Sequence, residues 1–388
     1  MTSLGISAAN PSHLFSGLQD LHEWDALCPP DDAPTSGLVN RERQRQQFAL
    51  LDVACTLLPG DSRLQRCHRI RLTTGAPLSV YELPWGPLAL QNVQTCGRPY
   101  CPLCGPRIRS RRGRELVGFA QALTAQGYRA LRVDWTHAHP PGTSMAVQVE
   151  QQRHVFQAIN RGRRALSQQL RGLGSYVGAR RALDYTYGVG GHHLHAHSVL
   201  FLKTDAPLED VMNVVRGAYL HAAQQVGVTV GVAGVHGAWI DPEGARYLHK
   251  AGWVRPLTMG SSCSPEQLLL LAGQGDADAG NAWTEYAQGL QGVRTISTTP
   301  GLRARAEHAL ASDGDDAQLA QGTVPQGARL VARLAPSMAR LPLFALPAMA
   351  TSQRPPQPPR LQMRRVRSPL VTTARRLPRN RHSLQQRQ

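Results

Sequence analysis

The stretch HHLHAHSVLFL, residues 192–202, carries the pattern that decides the fold. Its first half alternates histidine with apolar residues and its second half is almost wholly apolar, as expected of a β-strand within a sheet. Alternate residues of a strand face the same side, so His193, His195 and His197 project together from one face. Imidazoles at positions i and i+2 of a rigid strand can share one metal ion when a third group completes the site.

Predicted helices and predicted strands both flank this strand along the chain, without a regular βαβ repeat. Residues 180–187 predict a second strand, joined to the first by the turn sequence GVGG, and residues 128–136 predict a third. We predict helices over about 41–58, 106–126, 147–173, 207–227, 241–251 and 265–290. The prediction is therefore an α+β fold in which helices flank an antiparallel sheet.

Another histidine pair, His137 and His139, has the same i, i+2 spacing. Two prolines follow the pair directly and end the predicted strand, which favours a loop. We interpret these two side chains as lining a site and not as its metal ligands.

The chain of 388 residues has a net charge of +17, which favours a polyanionic partner, with nucleic acid the first candidate. Residues 351–388 hold ten arginines and no acidic residue, which leaves +7 for the rest of the chain. Because the composition beyond about residue 305 drifts to Ala, Gly, Pro and Arg, we predict a mostly disordered basic tail over 306–388. Residues 1–60 are predicted to be a poorly defined leader.

The amino-terminal residues lack the basic start and apolar run of a signal peptide, and no apolar stretch is long enough to span a bilayer. We therefore expect a cytoplasmic, bacterial protein without a membrane partner. In a reducing cytosol the seven cysteines are expected to be metal ligands more often than disulfides.

Four cysteines have a spacing typical of a structural zinc site. Cys96, Cys101 and Cys104 form the pattern C-x4-C-x2-C, and Cys67 can supply the fourth thiolate, with His68 as the alternative. The remaining cysteines have no partner by spacing and are Cys28, Cys55 and Cys263.

Arginines are dense around these cysteines, with no acidic residue before Glu115. A zinc-binding segment over 61–116 that leads into an Arg-rich helix would suit contact with DNA phosphates. The alternative is a structural zinc whose arginines form a solvated face. The candidate DNA-binding residues are Arg98, Arg107, Arg109, Arg111, Arg112 and Arg114.

The segment IDPEGARYLHK, residues 240–250, predicts a helix that begins at Asp241, since Asp is a good N-cap and Pro suits the first helical position. Glu243 and Tyr247 are four residues apart and share a helix face, with Lys250 one turn further on. A tyrosine on a helix is ordinarily a surface residue. A metal ion or ammonium group nearby would favour its phenolate, which can attack phosphorus.

In this order, the motifs resemble those of plasmid rolling-circle replication initiators of the HUH endonuclease superfamily. The cysteine segment is similar to the family's Cys-rich region, and LRVDWT to its early strand. The family's His-Pro-His-apolar-His motif is similar to residues 191–197, with Leu194 in place of Pro. Its nucleophile motif, Tyr followed three residues later by Lys, is similar to residues 246–250. The resemblance covers about residues 60–305.

The resemblance implies a nicking domain over 117–256 with a five-stranded antiparallel sheet whose central strand carries the histidines, followed by a helical segment over 257–305. His195 and His197, with His193 as third ligand, would hold Mg or Mn against the scissile phosphate. Tyr247 would attack it, leaving a 5′-phosphotyrosyl link and a 3′-OH primer.

The same resemblance gives roles to the two neighbours of the tyrosine. Lys250 would stabilise developing negative charge, and Glu243 would take the place of a second tyrosine in ending the cycle. The implied partners are origin DNA, single-stranded at the nick, and a host helicase with its replication machinery.

Several alternatives stay open at this stage. An all-imidazole site would also accept zinc, cobalt or nickel. A transposase or mobilisation relaxase would use the same chemistry. A non-catalytic zinc-dependent DNA-binding regulator explains the cysteines and arginines but leaves the histidine strand unexplained, and an inactive initiator is the third possibility.

Overall fold

The histidine strand lies at the centre of a five-stranded antiparallel sheet. The structure is a computed structural model that describes residues 37–73, 75–82, 88–230, 234–245, 262–306 and 329–334. The sheet has the order β6-β3-β5-β4-β7. Its strands are β3 (Arg129–Trp135), β4 (Ser175–Gly188), β5 (Gly191–Lys203), β6 (Val235–Ile240) and β7 (Ile296–Thr298). The α+β prediction, the antiparallel sheet and the central position of the histidine strand are confirmed.

The hairpin of β4 and β5 positions the histidines. Gly188 pairs with Gly191 across a two-residue turn, and Gly191 has φ +90°, a conformation that glycine adopts without strain. Counting outward from this turn places Asp184 directly opposite His195. The other neighbour, β3, places Asp134 opposite His197.

Helices cover both faces of the sheet. One face packs on three helices, α4 (Met145–Ala158), α5 (Leu166–Leu173) and α6 (Leu208–Gln225), through a core that includes Trp135 and Leu200. The opposite face, which carries His195 and His197, packs further along on α3 (Cys104–Ala125). Apolar side chains of β5 and α3 meet there, among them Val199 and Phe119.

The cysteine segment and the downstream helices share a second core. Its elements are α1 (Gly37–Leu57), α2 (Ser62–Arg66), α7 (Pro265–Gly273) and α8 (Ala277–Gly289), with a three-stranded sheet in the order β2-β1-β8. The strands of this sheet are β1 (Leu78–Glu82), β2 (Leu88–Gln91) and β8 (Arg329–Leu334). Leu51, Cys67, Leu268 and Trp283 are fully buried in this core. A last short helix, α9 (Leu302–Arg305), follows β7.

Three predictions of organisation need correction. The expected leader includes α1, whose side chains Phe48, Leu51 and Ala54 are buried because they pack in the second core. The single helix expected over 147–173 is two helices, α4 and α5. The tail over 306–388, predicted to be mostly disordered, contains the strand β8, which pairs with β1.

The helix predicted to begin at Asp241 is only partly described. The Asp241 carboxylate accepts a hydrogen bond from the backbone N–H of Gly244 at 2.6 Å, as an N-capping side chain does. Residues 246–251 of the predicted helix lie outside the described residues, as do the arginines of 351–388. Within the described part of the chain, none of the helices combines the length and apolar character needed to cross a bilayer.

Candidate metal sites

Four thiols converge at the start of α3. Cys67, Cys96, Cys101 and Cys104 are each at most 1% exposed, and their sulfur atoms all lie within 4.8 Å of one another. Measured Sγ–Sγ distances are 3.8 Å for Cys67–Cys101, 3.5 Å for Cys67–Cys104 and 3.6 Å for Cys96–Cys104. Sulfurs bound to tetrahedral zinc at about 2.3 Å stand about 3.8 Å apart. The four residues predicted from spacing therefore form a group that can hold zinc.

Local structure brings these thiols together. Asp61 caps α2 by accepting hydrogen bonds from Arg63 and Leu64, and Cys67 lies directly after this helix. The other Asp61 oxygen accepts a hydrogen bond from the Tyr100 hydroxyl at 2.6 Å, which ties the loop of Cys96 and Cys101 to the first cysteine. The capping carboxylate therefore joins the two halves of the site.

Hydrogen bonding and burial shift the pKa values of these thiols in opposite directions. Hydrogen bonds from Cys101, Cys67 and Cys96 lower the pKa of Cys104 well below its ordinary value, whereas burial raises the pKa of Cys101. His68, the alternative ligand, is fully buried and contacts Cys104 from outside the group of four thiols. When a cation binds, the thiols of the cluster release their remaining protons.

A second group that can hold a metal lies at the middle of the large sheet. Its members are Asp184, His195 and His197. The Asp184 Oδ2 atom lies 3.4 Å from His195 Nε2 and 3.5 Å from His197 Nε2. Ligand atoms about 2.1 Å from one ion stand about 3.0 to 3.4 Å apart, from octahedral to tetrahedral geometry. The three atoms are therefore spaced for one ion.

A further carboxylate orients one of these imidazoles. Asp134 Oδ1 lies 2.6 Å from His197 Nδ1, so the opposite nitrogen, Nε2, is the one turned toward Asp184. Ligating histidines commonly have such a carboxylate on their second nitrogen. Arg132 in turn lies 3.2 Å from the other Asp134 oxygen.

The electrostatics of this group favour a bound cation. Burial lowers the pKa of His197, but hydrogen bonds to Asp134 and Asp184 outweigh it and raise that pKa to about 9. Desolvation acts to raise the pKa of Asp184, yet hydrogen bonds from His195 and His197 hold it far below its ordinary value. The Asp184 side chain is 51% exposed, so the site is open to solvent on one side.

The third member of the group differs from the sequence prediction. His193 faces the same side of β5, but it lies outside the group, with its ring centroid 5.4 Å from that of His195. Asp184 takes the third place because the hairpin register sets it directly opposite His195. The His193 ring is instead 6.2 Å from that of His139, one of the pair interpreted as lining a site.

The strand end that carries these histidines is held from the opposite face. Beyond Trp135, β3 no longer pairs with β5, and Gln148 of α4 takes its place by bonding the carbonyl of His192 and the N–H of Leu194. His192 also bonds the Tyr185 hydroxyl at 2.8 Å through Nδ1. These contacts fix the backbone from which the metal-facing side chains project.

The six candidate arginines divide into two sets. Arg109 is paired with Glu266 at 2.8 Å and Arg112 with Glu115 at 3.1 Å, while Arg98 lies 3.4 Å from Asp61. Each of these three is paired with a carboxylate. The other three follow one face of α3, four and then three residues apart, and are Arg107, Arg111 and Arg114.

The second set forms a cationic stripe. Burial, and then repulsion from Arg114 and Arg107, lowers the pKa of Arg111, which shows that the three positive charges lie close together. Arg114 is exposed, Arg111 is partly exposed, and Arg107 lies 3.2 Å from the His68 ring. Such a row of like charges is suited to an anionic partner.

Of the predicted catalytic residues, only Glu243 is described, and its side chain is exposed. Tyr247 and Lys250 lie outside the described residues. Two residues before the tyrosine, Ala245 is fully buried in the same cluster as Val199 and Phe119, on the metal-bearing face of the sheet.

Comparisons with known proteins give no match for this chain, whether with protein-family models, with curated proteins or with solved structures.

Proposed function

We propose that this protein is a rolling-circle replication initiator that nicks single-stranded origin DNA. The observation that carries the proposal is the convergence of Asp184, His195 and His197 on a half-open face of the sheet. The order of the motifs, which resembles that of the replication initiators, supports the class of reaction proposed.

The ligand set suits the implied ion better than three imidazoles would. A carboxylate and two imidazoles favour Mn²⁺ or Mg²⁺ more than an all-imidazole set does, because hard oxygen donors suit these ions. When bound, such an ion would polarise the scissile phosphate. The protein's own part is to hold the three ligand atoms at the spacing described, with Asp134 fixing the His197 ring.

Tyr247 is the proposed nucleophile. Its phenol oxygen would attack phosphorus, the bond from phosphorus to the 3′ oxygen would break, and the phenol proton would leave to solvent or a nearby base. The products are a 5′-phosphotyrosyl ester and a free 3′-OH. Ala245, two residues before Tyr247, is buried on the metal-bearing face of the sheet, which supports the assignment.

Glu243 and Lys250 have proposed roles on either side of the nucleophile. Lys250 would stabilise negative charge as the phosphorane forms. Glu243 would act as a base in the step that ends the cycle, by activating water or a second strand. The exposure of Glu243 is compatible with a group that meets its substrate late.

We propose that the stripe of Arg107, Arg111 and Arg114 binds phosphates of the strand that is cut. It lies on α3, which packs on the metal-bearing face of the sheet. Phosphate contacts of this kind position DNA without reading its sequence. We propose origin DNA as the partner, with a host helicase acting on the duplex beyond it.

The test is incubation with single-stranded origin DNA and Mn²⁺. We expect a covalent protein–DNA adduct that resists denaturation in the wild type, and none in Tyr247→Phe or Asp184→Asn. Tyr128→Phe is the matched control, because that tyrosine hydroxyl bonds Ser175 at the far end of the sheet and should keep full adduct formation. Equal adduct with phenylalanine at position 247 would refute the nucleophile assignment.

A separate variant tests the role of the glutamate. Glu243→Ala should nick at the wild-type rate but accumulate adduct that is not released. Release at the normal rate by this variant would exclude the proposed terminating role.

The second candidate is a zinc-dependent DNA-binding regulator without catalysis. The buried thiol cluster at the start of the cationic helix favours it, because these two features alone would suffice for binding. It predicts that DNA binding survives both Tyr247→Phe and Asp184→Asn and that no adduct forms in any variant. A transposase or relaxase would form the same adduct and would differ in the DNA it joins.

A further inference from the structure

Three imidazoles that belong to neither metal group meet at the end of β3. His137 and His139 follow that strand, and their ring centroids are 4.2 Å apart. His193 of β5 lies beyond them, with its ring 6.2 Å from that of His139. The rings thus form a continuous row from a loop onto the histidine strand.

The row contains buried nitrogens without hydrogen-bond partners. The His137 residue is 1% exposed, and its Nε2 atom is buried and unpaired. Its Nδ1 atom lies 3.4 Å from the Tyr219 hydroxyl. Both ring nitrogens of His139 are also buried and lack a hydrogen bond of good geometry, and the polar groups nearest to them are the Gln151 side chain and the Leu194 backbone. Buried polar atoms in folded proteins almost always have a partner, so an unpaired set calls for one.

The chemistry of the set differs from that of the open site. The charged groups that act on His137 are His139 and His193, and no carboxylate of the described residues is among them. Neutral imidazoles offer lone pairs and no counter-charge. Three imidazoles suit zinc, cobalt or nickel, whereas magnesium and manganese prefer oxygen donors.

We propose that His137, His139 and His193 form a second histidine metal site, which takes a zinc-like divalent ion. Their ligand atoms are further apart than those of the two groups described above, so the partly exposed rings of His139 and His193 must turn to close on the ion. The His137 ring, which is buried beside Tyr219, would keep its position while the other two rings turn. An ion here would tie the loop after β3 to the histidine strand, next to the open site.

Cobalt binding tests the proposal on the whole chain with zinc already in the cysteine cluster. We expect the wild type to take up two further Co²⁺ ions with the absorption of nitrogen and oxygen ligands. His139→Gln should take up one, and so should Asp184→Asn. His154→Gln, which alters an exposed histidine of α4, is the matched control and should take up two.

Competition separates the two sites. In His139→Gln, which retains the site of Asp184, His195 and His197, excess Mg²⁺ should displace the bound Co²⁺. In Asp184→Asn, which retains the site of His137, His139 and His193, the Co²⁺ should stay bound. Nickel should raise the melting temperature of Asp184→Asn and leave that of His139→Gln less affected. Uptake of a single Co²⁺ by the wild type, or uptake of two by His139→Gln, would overturn the proposal. Since binding alone is measured, this outcome is independent of whether the chain nicks DNA.

Discussion

The cysteine cluster and the Asp184–His195–His197 group are both spaced for a metal, but they differ in access. All four thiols are buried, and their sulfurs surround one point from every side. The His–Asp group is open where the Asp184 side chain is half exposed. Closed sites with four protein ligands are structural, and sites with three ligands and an open position can bind a substrate. The difference favours a structural role for the cysteine cluster and leaves the His–Asp group able to bind a further ligand.

The largest expected effect is loss of a cysteine ligand. Zinc in small structural sites contributes about 10–16 kcal/mol of binding free energy, which is folding free energy. Cys101→Ser should therefore lose zinc and lower the melting temperature strongly, as followed by circular dichroism and zinc content. Cys55→Ser, at a buried thiol outside the cluster, is the control and should keep its zinc. Equal loss of zinc in the two variants would contradict a four-thiol site.

The next largest effect is expected at the ion pairs that join α3, which begins at the cysteine cluster, to the large sheet. Helix α3 begins at the cysteine cluster, and its Glu115 accepts hydrogen bonds from Arg112, Arg303 and the buried Arg180 of β4. Removing the charge leaves Arg180 buried without its counter-ion, so Glu115→Gln should cost roughly 3–5 kcal/mol in urea denaturation. Glu150→Gln, at an exposed pair with Arg153, should leave the unfolding curve unchanged. A curve for Glu115→Gln that matches this control would show that α3 does not depend on the ion pairs.

The open site should make stability depend on pH. The folded-state pKa of His197 is about 9, above its ordinary 6.5. The protonated imidazole therefore adds to the free energy of unfolding below pH 6.5, and this addition is lost as pH rises through 9. The loss is at most about 3 kcal/mol. It is measured by urea denaturation of protein with zinc in the cysteine cluster and no other ion. His197→Gln should abolish this decline, and a decline that persists in that variant would assign it to another group.

The smallest expected effect concerns the orientation of His197. Asp134→Asn keeps the shape but weakens the hold on Nδ1, so Mn²⁺ affinity should fall about 10- to 100-fold in calorimetric titration. Asp205→Asn, an exposed residue before α6, is the control. Affinity equal to the wild type in Asp134→Asn would mean that Asp184 alone orients the ring.

Local patterns predicted much of both sites. Alternation predicted the face shared by His195 and His197, and cysteine spacing predicted all four thiols. The third member of the open site could also be predicted from the sequence, because a two-residue turn at GVGG places Asp184 opposite His195. The register counted out from the turn is the sequence signal for this carboxylate.

Other features depend on contacts distant in sequence. Asp134 meets His197 because β3 pairs with β5 across more than sixty residues, and no local pattern encodes that register. The arginines divide by the position of acidic partners, of which Glu266 lies on α7, far from Arg109. The strand β8 pairs with β1 within a segment whose composition predicted disorder.

By itself, the sequence determined which side chains share a strand face or a helix face, because side-chain direction follows from the backbone period of two or 3.6 residues. It also determined three of the thiols, because short loops bring Cys96, Cys101 and Cys104 together, whereas the choice of Cys67 over His68 depended on the tertiary structure. Only the tertiary structure decided which carboxylates meet the imidazoles and which acidic residues pair with Arg98, Arg109 and Arg112. Those choices depend on strand pairing and helix packing between distant segments, where Coulomb interactions act over a few ångströms of space whatever the separation along the chain.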